Sequence, residues 1–526
     1  MSPDEAKSAP AASAGGRRWL GLAVLALPTL LLSLDFTVLH LALPHLAADL
    51  APTSAQQLWI LDVYGFMIAG FLVTMGTLGD RIGRRRLLMI GAAAFGAASL
   101  FAAYSTSAGM LIAARALLGV AGATLMPSTL SLISNMFHDS RQRGLAVAVW
   151  MSCFSAGGAI GPMVGGVLLQ WFWWGSVFLM GVPVMALLLV AAPFLLPEFR
   201  DPAPGRLDPV SVALSLAAVL PVVYAVKEAA ENGWGPGVAA PLLTGAVFGW
   251  LFVRRQRRLE NPLVDLALFR LPPFTVGLGG LLAGTVVLGA FVLLFAQYLQ
   301  LVLELSPSAA GLWMVPYALG NIVGAMLAPL VAARLRAATT IALGLVVSAA
   351  GLVVFVQSGA DSGPLPAVVG SVLVTFGLGP LMVLVVDLVI ASAPREKSGS
   401  ASSLSETCSE VGMALGVATL GALGTAVYRS RISEAVLPGV PSGRTEAARD
   451  GLPGAVATAR DMEPALAAQV TAAAERAFMA GLTAVGYTGA AVVLGVAAVT
   501  FLFLRDVAKP AGEERDERRE ERPRTD

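Results

Sequence analysis

Long apolar runs, separated by short charged or Pro/Gly-rich breaks, fill most of the chain. A run of about 18 residues or more is long enough for a helix to cross the hydrocarbon core of a bilayer. This criterion predicts fourteen spans, at residues 19–44, 57–78, 87–104, 109–133, 144–170, 173–196, 209–229, 238–253, 273–301, 308–332, 337–357, 365–391, 400–427 and 478–504. The pattern therefore predicts an all-α polytopic membrane protein.

The composition agrees with this pattern. The 526-residue chain is 56% hydrophobic and 13% charged, whereas soluble globular chains are about 25% charged. These values exclude a string of soluble domains and a disordered chain. Its two cysteines are too few for a disulfide scaffold and lack the spacing of a metal site. The net charge of +1 gives no indication of a nucleic-acid partner.

The basic residues predict the orientation of the spans. With the N-terminus in the cytoplasm, the inner segments hold 27 of the 35 lysines and arginines, as the positive-inside rule requires. Both termini are then cytoplasmic, as an N-terminal segment over residues 1–18 and a charged tail over 505–526. A long outer loop covers residues 429–476 and turns helix-like at 463–477, either as a mobile flap or as part of a small helical hairpin.

Four glycine-containing or charged strings occur in order along the first spans. After the second span the chain reads Gly76-Thr-Leu-Gly79-Asp80-Arg81-Ile-Gly83-Arg84-Arg85-Arg86, which is typical of a tight turn between helices. This string resembles the signature between helices 2 and 3 of the major facilitator superfamily. The other three strings resemble its motifs on helices 1, 4 and 5: Leu34-Asp35-Phe36-Thr37-Val38, Arg115-Ala-Leu-Leu-Gly119-Val-Ala-Gly122 and Gly157-Gly158-Ala-Ile-Gly161-Pro162-Met-Val-Gly165-Gly166.

The resemblance covers residues 19–504 and implies a fold. It implies two six-helix bundles, over residues 19–196 and 273–504, with a two-helix insertion over 209–253, as in the fourteen-helix drug:proton antiporter branch. Two further strings are similar to exporters of quaternary ammonium compounds and other lipophilic cations: Trp59-Ile-Leu-Asp62-Val-Tyr64-Gly65 and Glu406-Thr-Cys-Ser-Glu410-Val-Gly412. The expected location is the plasma membrane.

Ionisable residues inside spans are costly, so each is a candidate for function. Asp35 has two compatible interpretations: a structural ion pair with Arg115, or a proton-switched acid whose pairing with Arg115 changes between states. Asp62 either binds cations or is solvated at the outer mouth. Asp387 lies near the cytoplasmic end of its span, where interfacial solvation or a link to Arg395 is the better interpretation.

Glu406 and Glu410 are the strongest candidates. A spacing of four residues places both carboxylates on one helix face, about 6 Å apart along the axis. Two like charges that close in apolar surroundings should not both ionise, so the pair is suited to exchanging a proton for a cation. Solvation near the cytoplasmic entrance is the alternative, and it applies more to Glu406 than to Glu410.

Aromatic and glycine residues supply weaker candidates. Aromatic rings can bind organic cations through cation–π contacts, although each ring is also consistent with a packed core; the candidates are Tyr64, Trp150, Phe154, Trp313 and Tyr317. The resemblance implies that a second group of residues supports conformational change: Gly76, Asp80, Arg81, Gly83, Arg84, Gly157, Gly161, Pro162 and Gly165. Of these, Asp80, Arg81 and Arg84 would latch the cytoplasmic side in the outward-open state, and a purely topological role of the arginines is the alternative.

These residues predict a proton-coupled exporter of lipophilic cations that works by alternating access. No P-loop is present, so the proton gradient rather than ATP is the expected energy source, and no cofactor, metal or catalytic residue is expected. We expect a monomer whose partners are small lipophilic cations, protons and the bilayer. An exporter dedicated to a single metabolite or antibiotic is the alternative. A polytopic membrane enzyme is a weaker one, because no polar catalytic cluster is evident.

Overall fold

The computed structural model describes residues 11–52, 54–200, 208–232, 235–259, 262–305, 307–359, 363–394, 398–434, 449, 451–459 and 462–505. Throughout these residues the backbone is helical apart from short turns, and they contain no strand. Hydrogen bonds within each helix satisfy the backbone groups that a bilayer cannot solvate. The expected all-α fold is confirmed.

Within the described residues, the first bundle and the insertion contain nine helices. Side-chain oxygens cap three of them, because Ser107 accepts from the amide of Met110, Asp139 from that of Gln142 and Asp208 from that of Ser211. The first bundle contains α1 (Ala11–Leu50), α2 (Ser54–Ile82), α3 (Arg84–Ala103), α4 (Ala108–Met136), α5 (Ser140–Trp171), the short α6 (Ser176–Leu179) and α7 (Gly181–Leu195). The insertion contains α8 (Pro209–Asn232) and α9 (Pro236–Gln256).

The second bundle follows the insertion. Its helices are α10 (Pro272–Gln297), α11 (Pro307–Ala332), α12 (Ala337–Val356), α13 (Pro364–Ser392), α14 (Ser398–Gly416), α15 (Ala422–Glu434), α16 (Leu452–Ala459) and α17 (Pro464–Leu504). A π-helical turn over Val417–Gly421 joins α14 to α15, so the two form one span.

The described residues contain thirteen helices long and apolar enough to cross a membrane, or fourteen when the bent α5 is counted as one span. Helix α5 bends by 45° between Gly158 and Met163, where glycines and a proline interrupt its sequence. The predicted number of spans is therefore confirmed.

Three predicted boundaries are wrong. Helix α1 begins at Ala11, inside the segment 1–18 that was expected to precede the first span. The helix predicted at 463–477 is confirmed, but it is continuous with the last span, because α17 begins at Pro464 rather than at 478. Helix α15 also continues past 427 to Glu434. The expected loop at 429–476 is therefore shorter than predicted; its residues 435–448 and the tail 506–526 lie outside the described residues.

The insertion packs against both bundles. Val223 of α8 packs on Phe66 and Ala69 of α2, whereas Ala225 and Val226 pack on Ala418, beyond the end of α14. The connection to α10 is held by the buried side chain of Gln256, which donates to Ser211 at 2.8 Å and accepts from the amide of Leu263 at 2.6 Å. The two extra helices thus cover one side of the contact between α2 and α14.

Arginine-bearing turns cluster at one end of the molecule, which we call the basic end. The starts of α3, α5 and α12 lie there, with Arg84 and Arg143 in the first turns of α3 and α5 and Arg336 directly before α12. The two bundles meet along α2 and α14, α4 and α14, α5 and α11, and α5 and α13. The candidate residues lie along these contacts.

Candidate functional site

Asp35 and Arg115 form an ion pair inside the first bundle. The Nη1 atom of Arg115 lies 2.5 Å from Oδ2 of Asp35, and the arginine side chain is 1% exposed. Arg115 also donates to the carbonyl oxygens of Ile60 at 3.1 Å and Leu61 at 3.4 Å on α2. One guanidinium therefore ties together α1, α2 and α4.

Tyr64 connects this pair to the second bundle. Its ring is fully buried, and the guanidinium carbon of Arg115 lies 4.4 Å from the ring centroid, which is a cation–π contact. The phenol is within electrostatic range of Asp35, Arg115 and Glu410. The structure thus brings four of the predicted residues together between the bundles: Asp35, Tyr64, Arg115 and Glu410.

Glu406 and Glu410 lie on α14, which packs against α2 and α4 of the first bundle and α10 of the second. Glu406 is 8% exposed, Glu410 is half-buried, and the two carboxylates interact electrostatically. No lysine or arginine among the described residues forms an ion pair with Glu406. We call Asp35, Tyr64, Arg115, Glu406 and Glu410 the ionisable cluster.

Asp80, in the last turn of α2, links that helix to the start of α14. Its Oδ1 accepts from Nε of Arg84 at 2.8 Å, while its Oδ2 accepts from the amide of Ser400 at 3.1 Å. A carboxylate at a helix N-terminus is stabilised by the free amides and the helix dipole. Gly83, with φ of 109°, makes the turn that brings Arg84 back to Asp80. Asp80 and Arg84 thus contribute to a contact between the bundles.

Further contacts close the basic end. Ser398 hydrogen-bonds to Ser131 at 2.8 Å and accepts from Asn135 of α4 at 3.4 Å. Arg143 of α5 pairs with Asp387 of α13 at 2.5 Å. The structure therefore holds the two bundles together at the basic end.

The partner of Asp387 corrects the sequence interpretation. Interfacial solvation or a link to Arg395 was expected, but Asp387 joins Arg143 across the two bundles, and Arg395 lies outside the described residues. In the sequence, Arg143 was used only as one of the basic residues that indicate the orientation of the spans. Ser155 and Asn321 were also missed: they hydrogen-bond at 2.5 Å between α5 and α11. Small polar side chains on apolar helices are the signal that could have indicated them.

Glycines allow close packing on both sides of the cluster. A Cβ atom on Gly157 would lie 2.2 Å from the carbonyl oxygen of Leu30, and one on Gly161 would lie 1.9 Å from Oγ1 of Thr37. Both contacts are between α5 and α1. On α14, a Cβ atom on Gly412 would lie 1.9 Å from Oγ1 of Thr285 on α10. The predicted glycine motif on α5 thus includes residues at which the backbones of two helices approach closely.

The other aromatic candidates are dispersed. Trp150 is 1% exposed and donates to Thr129 of α4, so it packs inside the first bundle. Tyr317 stacks with Phe291 at 6.3 Å inside the second bundle. The half-buried Phe154 and Trp313 also pack against the apolar core.

The remaining predicted residues lie on α2 and α5. Gly76 is on α2 and Gly165 is buried on α5, whereas Arg81, which was expected in the turn after a span ending at 78, lies in the last turn of α2 because that helix continues to Ile82. The side chains of Asp62 and Pro162 lie outside the described part of the structure. Within the described residues, no group of three His, Cys, Asp or Glu side chains could hold a metal ion.

Two helical bundles with buried charges where they meet are the arrangement of a membrane transporter. The family model of the Major Facilitator Superfamily matches residues 25–417, and the chain belongs to this superfamily.

Known proteins give a closer comparison. The multidrug efflux pump LfrA of Mycolicibacterium smegmatis is 45% identical over 93% of this chain and 97% of its own. The methyl viologen resistance protein SmvA of Salmonella typhimurium is 33% identical over 88% of this chain and 93% of its own. The chain is therefore a drug efflux transporter, not an enzyme, and a multi-pass protein of the plasma membrane. The human organic anion transporter MFSD10 (TETRAN) shares the fold, with a TM-score of 0.58 at 15% identity over 92% of this chain and 99% of its own.

Proposed function

We propose that this drug efflux transporter exchanges protons for lipophilic organic cations. The observation that carries the proposal is the pair Glu406 and Glu410, which interact electrostatically on one face of α14 where it meets the first bundle. Glu406 is buried without an ion-pair partner among the described residues. A carboxylate pair in such a place is stabilised by one bound proton, and an arriving cation can replace that proton.

The neighbouring Asp35 and Arg115 supply a second position for the exchanged proton. Two backbone carbonyls of α2 hold the guanidinium in place. Protonation of Asp35 would remove the charge that Arg115 faces and loosen α1 from α4. Tyr64, within electrostatic range of both Asp35 and Glu410, connects the pair to the α14 carboxylates. A proton taken up at Asp35 leaves the positive charge of Arg115 uncompensated. Repulsion between this charge and the bound cation, together with the loosening of α1 from α4, then favours release of the cation from α14.

The basic end faces the cytoplasm in this proposal, in agreement with the positive-inside rule. The structure represents the state in which that end is closed by Asp80 with Ser400 and by Arg143 with Asp387. A cation reaches the cluster from the cytoplasm or the inner leaflet only after these contacts break, and rocking of the bundles then exposes it on the other side.

The cation class is supported by the charges of the ionisable cluster: its one arginine, Arg115, is already paired with Asp35, and Glu406 and Glu410 add acidic groups. Methyl viologen, which the relative SmvA confers resistance to, is an organic dication. Moving one charge across the membrane involves about 2.3 kcal/mol per 100 mV. One proton exchanged for one monovalent cation would therefore respond to the pH gradient alone, whereas two protons per monovalent cation would respond to voltage as well.

The test uses full-length protein in proteoliposomes with ethidium as cargo and an imposed pH gradient. Proton movement is followed on addition of the dye, for the wild type and for Glu410→Gln, Glu406→Gln and Asp35→Asn. We expect dye-dependent proton movement in the wild type and its loss in Glu410→Gln. The matched control is Glu463→Gln, which removes an exposed acid at the start of α17 and should behave as the wild type.

Two outcomes would contradict the proposal. Dye transport that proceeds without proton movement would show that export is not coupled to protons. Failure of every lipophilic cation tested, with folded protein in the vesicles, would favour the exporter of a single metabolite or antibiotic. Vesicles without ATP are used throughout, because the proposal assigns the driving force to the proton gradient.

A further inference from the structure

A cleft of about 780 Å³ opens at the basic end, between the start of α5 and the adjoining ends of α11, α12 and α13. Both bundles contribute to it, because Arg141 and Arg143 come from α5 whereas Arg334, Arg336 and Asp387 come from the second bundle. No residue of the ionisable cluster lines it.

The charges that line the cleft are unbalanced. Four arginines face one carboxylate, and that carboxylate, Asp387, is paired with Arg143 at 2.5 Å. Arg336 donates to the carbonyl oxygen of Arg505 at 3.1 Å. Arg141 and Arg334 are exposed, and neither forms a hydrogen bond or ion pair through its side chain within the described part of the chain. The cleft therefore has at least two guanidinium groups available to an anion.

The wall next to these arginines is apolar and faces outward. Leu327, Leu330 and Leu335 line the cleft and are 40%, 44% and 43% exposed. Leu388 and Leu504 also line the cleft. A membrane protein exposes such leucines to acyl chains, while arginines at the end of a span lie at the level of the headgroups.

We propose that this cleft binds an anionic phospholipid from the leaflet that borders the basic end. The phosphate is held by Arg141 and Arg334, and the acyl chains lie along Leu327 and Leu330. Basic pockets between transmembrane helices are suited to such headgroups, because the charge attraction adds to the burial of the chains. The apolar wall selects a phospholipid over a free phosphate, which would leave these leucines uncovered.

The bound lipid has a consequence for the conformational cycle. The cleft contains the Arg143–Asp387 pair, and its two sides belong to different bundles. A ligand that contacts both sides binds best while they are together, so it shifts the population toward the state with the basic end closed. The anionic lipid content of the membrane thereby sets how readily the basic end opens.

Binding is tested on full-length protein by native mass spectrometry, after detergent extraction and incubation with phosphatidylglycerol or phosphatidylcholine. We expect the wild type to retain phosphatidylglycerol in preference to phosphatidylcholine. The double variant Arg141→Gln/Arg334→Gln should lower phosphatidylglycerol retention by roughly tenfold or more, since each contact between an arginine and an anionic headgroup contributes on the order of 1 kcal/mol.

The matched control is Arg257→Gln/Arg258→Gln, which removes two exposed arginines at the end of α9, outside the cleft. It should retain phosphatidylglycerol as the wild type does. Equal losses in the two double variants would overturn the proposal, as would equal retention of both lipids. Displacement of the lipid by inorganic phosphate would also overturn it, because the site would then be specific for the anion alone.

The tail that follows α17 is the competing occupant, since Leu504 lines the cleft and acidic residues follow from Glu513 onward. Deletion of residues 506–526 distinguishes the two. Unchanged phosphatidylglycerol retention in the deletion variant supports the lipid, whereas a large increase would assign the cleft to the tail. A thermal unfolding measurement on each variant confirms that it is folded before lipid binding is compared.

Discussion

Arg115 on α4 reaches Asp35 on α1 at 2.5 Å and, from the other side of its guanidinium, the carbonyl oxygens of Ile60 and Leu61 on α2. Three helices of the first bundle therefore depend on one arginine that is 1% exposed. Removing one member of such a buried pair leaves an uncompensated charge, which costs about 3–5 kcal/mol. A variant that removes both charges can therefore test the role of the pair in transport separately from its role in stability.

We expect Asp35→Asn alone to lower thermal stability markedly, because Arg115 keeps its charge inside the bundle. The double variant Asp35→Asn/Arg115→Gln should recover a large part of that loss, since no buried charge remains unpaired. Neither variant should couple dye export to proton movement. Thermal unfolding and the proteoliposome assay are measured on the same preparations.

Two outcomes with the double variant would contradict this prediction. If it transports with normal proton coupling, the pair is structural and Asp35 carries no proton. If its stability falls by the sum of the two single losses, the two side chains do not interact and the ion pair lacks the energetic role assigned to it.

The ion pair between Arg143 and Asp387 is expected to control opening of the basic end. Each side chain is 18% exposed, so the pair contributes roughly 1 kcal/mol, which is about a fivefold change in the open fraction. Arg143→Asp and Asp387→Arg should each increase opening through repulsion between like charges. The charge-swapped double variant should restore the wild-type value.

Opening is measured by maleimide labelling of Ser131→Cys in a chain whose two native cysteines are replaced by serine. Ser131 is fully buried and contacts Ser398 across the bundles, so it is labelled only when the basic end opens. Equal labelling rates in the single and double variants would exclude an electrostatic contribution of this pair.

The glycines of α5 should differ in their tolerance of a methyl group. The Cβ atom of Gly157→Ala meets a backbone carbonyl that cannot move aside, whereas that of Gly161→Ala meets the side chain of Thr37. We expect Gly157→Ala to destabilise by about 1–3 kcal/mol and to reduce transport, with a smaller effect for Gly161→Ala.

Gly166→Ala is the matched control, because no atom lies within 4 Å of its added Cβ. It should leave both stability and transport unchanged, and the helix propensity of alanine makes slight stabilisation the expected sign. A loss in Gly166→Ala equal to that in Gly157→Ala would show that flexibility of α5, rather than close packing on α1, is what the motif supplies.

Asp208 anchors the start of the insertion and predicts a pH dependence. It accepts from Nε of Arg255 at 2.5 Å and from the hydroxyl and amide of Ser211, and these hydrogen bonds hold the pKa of its carboxyl well below the usual range. A depressed pKa means that its contribution to stability is complete above the unfolded value of about 4 and is lost as the pH falls toward the folded pKa.

Asp208→Asn should therefore lower the unfolding temperature at neutral pH, and the difference from the wild type should shrink as the pH falls below about 4. Thermal unfolding at several pH values measures this difference. Asp139→Asn is the comparison, because Asp139 caps α5 and makes no ion pair within the described residues, and asparagine caps a helix equally well. A difference for Asp208→Asn that is independent of pH would exclude the linkage.

Hydropathy predicted the spans because a bilayer permits few alternatives. Every backbone amide at membrane depth needs an internal partner, so an apolar run of sufficient length forms a helix. Hydropathy placed the start of the last span at 478, because residues 464–477 are rich in alanine and form helix readily but do not have the hydropathy of a span. The pairing of Glu406 with Glu410 was also local, because four residues make about one helical turn.

Contacts between distant helices could not be predicted from the sequence in this way. Asp387 and Arg143 are 244 residues apart, and Asp80 and Ser400 are 320 apart, so no periodicity joins them. Their pairing depends on how two bundles dock and on which end of the interface is closed. The same holds for the unbalanced arginines of the cleft, which served in the sequence only to indicate topology.

The sequence by itself determined the number of spans, the family and the acidic residues inside spans that are candidates for function. Helix formation in lipid and the free-energy cost of burying a charge both depend on the local sequence. Only the tertiary structure decided the charge pairings that depend on the packing of helices from distant parts of the chain, such as Arg143 with Asp387. The sequence already suggested the pairing of Asp35 with Arg115, whereas the contacts of Arg115 with Tyr64 and with two carbonyl oxygens of α2 come from the packing of α4 against α2.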